Sequence, residues 1–126
     1  MAWSNIQLSG LTLLRLVAGF LFLCHGAQKA FGWFGGPGGM HGRLLIAGYI
    51  ELAVGILVLI GLFTRVAAFI GAGEMAVAYF TVHQPQGGLP IHNKGDLAVL
   101  FCFVFLFFAA VGAGAWSVDG MLQQRR

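Results

Sequence analysis

Four long apolar runs, separated by short polar stretches, decide what this chain can fold into. They extend from about Gly10 to Ala30, Leu44 to Phe63, Val66 to Val82 and Leu97 to Val111. A transmembrane helix needs roughly 20 mostly apolar residues, with about 17 as a lower limit; the fourth run is the shortest. Membrane β-strands alternate apolar and polar residues, whereas LLIAGYIELAVGILVLIGLF is apolar on every side apart from one Glu. The reading is therefore all-α: a four-helix transmembrane bundle in a single domain spanning 1–126, with polar Gly/Pro-rich loops at 32–43 and 84–96. Only 9% of the 126 residues are charged, against about 25% in soluble domains. A polar globular surface cannot be built from that.

The first run is expected to be retained. A cleavable signal has a basic region ahead of its apolar core, and here the first basic residue, Arg15, lies inside the run. The net charge of +3 comes from scattered Lys and Arg, with Arg125-Arg126 the one basic pair. That pattern speaks for membrane topology and against a nucleic-acid partner. The tight turn at Thr64-Arg65 makes the second and third segments antiparallel neighbours. Four crossings place both long loops on one side and both termini on the other. Arg65, Arg125 and Arg126, with Arg15 nearby, outnumber Lys29, Arg43 and Lys94 by four to three, which favours cytoplasmic termini. A short internal echo, Glu51-Leu-Ala-Val against Asp96-Leu-Ala-Val, with His25 and His83 each closing a span, raises a two-plus-two duplication.

The informative residues are the charges inside the spans. An ionised group at a helix centre costs roughly 2.5–3.5 kcal/mol on insertion scales, so such groups face the bundle interior. Arg15 shares a helical stripe with Thr12, Gly19, Phe22, Gly26 and Lys29. Glu51 shares one with Gly48, Gly55 and Val58, and Glu74 one with Ala67, Gly71 and Ala78. Small residues mark close helix contact in membranes, so all three charges are expected in one buried polar cluster, with Arg15 paired to Glu74 or Glu51. A salt bridge that only fixes packing is the competing reading. Glu51 leans toward function, because His25 and Lys29 lie on the same, loop-side half.

The four histidines, His25, His41, His83 and His92, all fall toward the loop side. His25 and His83 close spans and are ligand-contact candidates; His41 and His92 read as solvated loop residues. No HxxxH or CxxC spacing supports a metal, so none is assigned. Cys24 and Cys102 lie at similar depths and read as small buried hydrophobes, with a redox pair as the alternative. The Phe-rich fourth segment reads as lipid contact and packing. WFGGPGGMHG lacks the GxxxxGK[ST] pattern of a phosphate loop and is expected to form a lid over the loop-side mouth, with Trp33 and Phe34 as interfacial anchors.

Taken in order, R15…G19…F22…H25-G26-x-Q28-K29-x-F31-G32, E51-L…G55, M75…A78-Y79-F80…H83, N93-x-G95-D96-L-A and G112-x-G114-x-W116-S117-V-D119 resemble the DoxX family of bacterial membrane proteins. The resemblance covers nearly the whole chain. Asp96 stands where the family pattern has Glu, and Ala113 where its closing motif has Pro. The resemblance implies a four-helix bundle in the bacterial inner membrane and an association with redox chemistry, including subunits of a thiosulfate:quinone oxidoreductase.

Two functions follow. In the first, the chain is a redox-linked subunit that holds a quinone or similar apolar ring. The ligand-contact and proton-relay candidates are Arg15, His25, Lys29, Glu51, Glu74, His83 and Asp96. No flavin, haem or iron–sulfur motif is present, so no cofactor is intrinsic and electrons would come from a redox partner protein in a larger membrane complex. In the second, the bundle is a non-catalytic scaffold or holds a lipid-like molecule. A small transporter, rescued by homo-oligomerisation, is third: four short helices offer no broken-helix pair.

Overall fold

The computed structural model describes residues 2–126. Helix α1 spans Asn5–Phe31, α2 Arg43–Ile60, α3 Thr64–Ala78, α4 Pro90–Asn93, α5 Asp96–Val111 and α6 Val118–Gln124. Among the described residues there is no strand. A π-helical turn at Tyr79–His83 and a 3₁₀ turn at Gln84–Gln86 continue α3, and another 3₁₀ turn covers Trp33–Gly35. Three continuous helical stretches, Asn5–Phe31, Arg43–Ile60 and Thr64–Gln86, are long and apolar enough to cross a membrane; the apolar α5 is shorter. Large apolar side chains such as Leu13, Val17, Phe69, Val77, Leu100 and Phe103 are exposed along the bundle. Such a surface suits lipid, not water.

α1 starts before the apolar run does, because Ser4 and Gln7 form a reciprocal cap. The Gln7 amide donates to Ser4 Oγ at 3.3 Å, and the Ser4 amide donates to Gln7 Oε1 at 2.8 Å. This satisfies two amides the helix itself leaves free. Glycine decides which helices pair. A Cβ on Gly19 would lie 2.6 Å from the Leu59 amide nitrogen, and Cβ atoms on Gly26 and Gly55 would run into the backbones of Leu52 and Leu23. α1 and α2 therefore touch backbone to backbone, antiparallel, along two glycine pairs spaced seven residues apart. α3 and α5 form the second antiparallel pair, with Phe105 and Val54 packed onto Gly71. Between the pairs lies a core of Phe22, Phe101, Phe105 and Phe108 with Val54, Val58 and Met75. The rings of Phe22 and Phe105 meet edge to face at 4.6 Å. Of the fourth segment's phenylalanines, Phe101, Phe105 and Phe108 follow the helical period into the core, while Phe103 and Phe107 face outward.

The proposed internal echo does not extend to depth. Glu51 lies about 12 Å along α2 from its start, at 1.5 Å per residue, whereas Asp96 is the first residue of α5 and is exposed.

Gly26→Val is expected to force α1 and α2 apart and to lower stability by about 1–3 kcal/mol, the usual cost of overpacking. Gly10→Val, at a glycine with nothing near its Cβ position, should cost less than about 0.5 kcal/mol. Thermal unfolding of both variants in one detergent checks the contrast.

Candidate functional site

Arg15 is fully buried, as its stripe implies, but its partner is neither Glu51 nor Glu74. Nη1 donates to the carbonyls of Val58 (2.9 Å) and Leu59 (2.6 Å), Nε to Ala113 (2.9 Å), and Nη2 to Ala115 (3.3 Å) and Trp116 (2.7 Å). The guanidinium thus caps the C-terminal end of α2, where four carbonyls lack helical partners. It also holds the return segment 112–117 against it. Gly61 turns the chain here with φ +72°, and a Cβ there would strike Ser117. The same end has two more caps. Asp119 accepts from the amides of Phe63 (2.8 Å) and Thr64 (2.9 Å) at the start of α3. Arg65 donates to the carbonyls of Ala109, Ala110 and Val111 at the end of α5. The resemblance motif around Gly112 to Asp119 is this closure. Ala113 serves it with its carbonyl alone, which a Pro would equally supply.

The loop-side half is organised around carboxylates. Glu51, 1% exposed, is ion-paired through Oε1 with Lys29, which α1 brings across the glycine contact. Glu74 on α3 comes within range of both. Glu51 Oε2 and Glu74 Oε2 are buried with no hydrogen-bond partner among the described residues. Two cavities meet at this cluster. The larger, about 790 Å³, opens between α2 and α3; Lys29, Arg43, Ile46, Ile50, Gly73 and Glu74 line it, with Val77 and His83. Ile46, Ile70 and Val77 on its rim are exposed, so it opens sideways. The smaller, about 240 Å³, lies among α1, α3 and α5 and is lined by His25, Glu51, Lys94 and Phe101, and again by Lys29 and His83.

His83 is positioned by the π-helical turn, a feature that recurs at functional sites. Its Nδ1 donates to the Asn93 carbonyl at 3.1 Å, which leaves Nε2 as the unengaged ring nitrogen. Asn93 is the buried keystone of this end. Its Nδ2 donates to Tyr79 Oη (3.2 Å) and the Gly87 carbonyl (2.8 Å), and its Oδ1 accepts from the Gly95 amide (2.9 Å). Sequence reasoning singled out neither Tyr79 nor Asn93 for a role. For Asn93 the signal was a polar residue two positions before a glycine in an otherwise exposed loop; Tyr79 carried none beyond its place in the resemblance motif.

Of the seven candidate residues, the fold brings Lys29, Glu51, Glu74, His83 and His25 to the two cavities. Arg15 belongs to the opposite end, and the exposed Asp96 lines neither cavity. Of the loop 32–43 expected to form a lid, Arg43 lines the larger cavity and no other residue lines either of the two. Gly32 reverses the chain, and the Gly38 amide donates to the Gln28 carbonyl at 3.1 Å, folding the loop back onto α1. Trp33 and Phe34 are exposed, as anchors would be. Among the described residues no group of His, Cys, Asp and Glu is placed to hold a metal ion. Both cysteines are free thiols and half-buried.

Fold and site together define an all-helical membrane protein with a lysine–carboxylate cluster between its helix pairs. The DoxX family model matches residues 10–84, and the chain belongs to that family. It is 44% identical over 117 residues to an uncharacterized protein of Haemophilus influenzae, covering 86% of this chain and 87% of the relative. It is 32% identical over 133 residues to an uncharacterized membrane protein of Mycobacterium tuberculosis, covering 89% and 80%. No solved structure matches it.

Arg15→Lys keeps the charge but lacks the planar fork that reaches two chain segments. With hydrogen bonds to charged groups contributing about 1.5–3 kcal/mol each, the variant is expected to lose about 3 kcal/mol or more. It should also open residues 112–126 to protease. Denaturation and limited proteolysis check this; unchanged protection would refute the capping role.

Proposed function

We propose that the protein is a bacterial inner-membrane subunit that holds a quinone or similar apolar ring in the groove between α2 and α3, its polar end at Glu74, Lys29 and His83. The observation that carries this reading is the unpartnered Glu74 Oε2 beside an apolar groove of about 790 Å³. Ligand pockets are mostly apolar, with a few placed polar groups, and of this size range. Gly73 lines the groove with only open space at its Cβ position, so a flat ring has room beside the helix backbone. When bound, a quinone supplies electron acceptance coupled to protonation of its carbonyl oxygens. The chain's own residues orient it: Lys29 as donor, and Glu74 as donor or acceptor according to its proton. Electrons come from a partner protein in this reading.

α5 makes the fourth crossing. At about 24 Å, from 1.5 Å per residue, it is short for a bilayer core, and α4 and the return segment 112–117 flank it. Cytoplasmic termini keep the support of the charge balance. With Arg15 and Lys29 set aside as buried or paired, Arg65, Arg125 and Arg126 stand against Arg43 and Lys94.

A non-catalytic scaffold is favoured by one observation, the closed Lys29–Glu51 pair, which on its own needs no ligand. Two substitutions separate the readings. Gly73→Leu fills the groove from an open position and adds about 1 kcal/mol of helix propensity; Glu74→Gln keeps the shape and removes the carboxylate. Quinone co-purifying from native membranes, measured by mass spectrometry, is expected in the wild type and should fall at least about tenfold in both variants, a loss of about 1.4 kcal/mol. A wild type free of quinone, bound to one stable protein that both variants keep, would establish the scaffold instead.

A further inference from the structure

We infer that the Glu51–Glu74 pair holds an exchangeable proton that reaches water through the smaller cavity and the loop-side face alone, making the site one-sided with respect to protons. The inference rests on the reading of this cluster as the working site, and adds to it the route and the side.

Charge counting gives the proton. Among the described residues Lys29 is the one cation ion-paired in the cluster, to Glu51; Glu74 lines the groove beside the same lysine and adds a second carboxylate, while the exposed Arg43 lines that groove without an ion pair. Two carboxylates sharing one buried site do not both ionise readily, and one lysine balances one of them. A single proton on the pair leaves the cluster neutral and provides a donor for one of the two oxygens that lack partners, Glu51 Oε2 and Glu74 Oε2.

Geometry gives the route. Glu51 lines the smaller cavity and Glu74 the groove, and Lys29 and His83 line both. The smaller cavity, about 240 Å³, has room for several waters at about 30 Å³ each. The titratable and charged groups that line the two cavities with the pair all belong to this half: Lys29 and His25 from α1, Arg43 from the start of α2, His83 from the turn after α3, and Lys94 ahead of α5. α5 itself presents Leu97, Ala98 and Phe101 there. In the exchange step the carboxyl O–H bond breaks and the proton passes to water in the cavity. A carboxylate is left beside Lys29, and the return step reverses it.

The opposite direction is closed. Phe22, Val58, Phe105 and Phe108 are at most 1% exposed between the cluster and the terminal end. Beyond them, Nε, Nη1 and Nη2 of Arg15 are all engaged with backbone carbonyls. The apolar layer offers no group that can accept a proton and pass it on; the hydroxyls of Thr12, Thr64 and Ser117 and the carboxylate of Asp119 all belong to the terminal end beyond it.

The test is infrared spectroscopy of the wild-type chain in phosphatidylcholine liposomes, with pH jumps applied to either side. Orientation is assigned by trypsin cleavage at Arg125-Arg126. The expected result is a carboxylic-acid C=O band, altered by Glu74→Gln or Glu51→Gln, that responds to pH on the loop side and not on the terminal side. Leu97→Trp narrows the cavity from an exposed position and is expected to slow the response about tenfold, equivalent to about 1.4 kcal/mol of barrier. No such band, a band that follows terminal-side pH, or an unchanged rate in L97W overturns the inference. Side dependence and L97W decide it even where a Gln variant fails to fold. No quinone is added, so a failure of quinone binding and a failure of one-sided exchange are separate results.

Discussion

A helix that ends near hydrocarbon leaves carbonyls and amides that water cannot reach, and each must find a partner within the protein. Arg15 meets that constraint for this fold. One guanidinium serves five carbonyls from two stretches of chain, and the return segment it binds carries Asp119 to the start of α3. Arg65 does the same for the end of α5. The terminal end is thereby tied across all four long helices, and the cavities are confined to the other end.

At the loop end, glycine takes over from charge. The α1–α2 contact is close enough that the Lys29 stem lies against Gly48, where a Cβ would come within 2.8 Å of Lys29 Cβ. Gly48 and Glu51 are three residues apart, hence neighbours on one face of α2, so the lysine that passes the glycine meets the carboxylate beyond it. α3 is held by α5, and its departure from α2 above the tight turn leaves the groove. Helix pairing, ion pair and groove thus follow from one arrangement of small residues.

Much of this was legible in the sequence, and what was not has a common cause. Each apolar run became a helix, and the stripes carrying Gly19, Gly26, Gly48 and Gly55 are the surfaces that touch. Arg15 was rightly placed inside but given the wrong partner, because backbone carbonyls leave no mark in a sequence while Glu51 and Glu74 do. The Lys29–Glu51 pair depends on where α1 crosses α2, which no single-helix pattern encodes. Asp96 resembled Glu51 through three following residues, but Gly95 ends the preceding turn there and makes Asp96 the first residue of its helix. The loop folded back on α1 because Gly32 adopts a positive φ, a choice that composition alone leaves open.

Arg15 and the lysine–carboxylate cluster also bear differently on function. Around Arg15 every donor atom has an acceptor, and neither of the two cavities is lined by it; that is how a purely structural buried charge is satisfied. The cluster breaks the same rule twice. It gathers a second carboxylate where one would close the pair with Lys29, and it leaves an oxygen of each without a partner. A fold that needed only a staple would gain by losing Glu74, since a carboxylate in a span costs energy that packing does not return. Its presence beside an apolar groove and a polar chamber is the feature that a scaffold reading leaves without a physical reason and that a proton-handling ligand site requires.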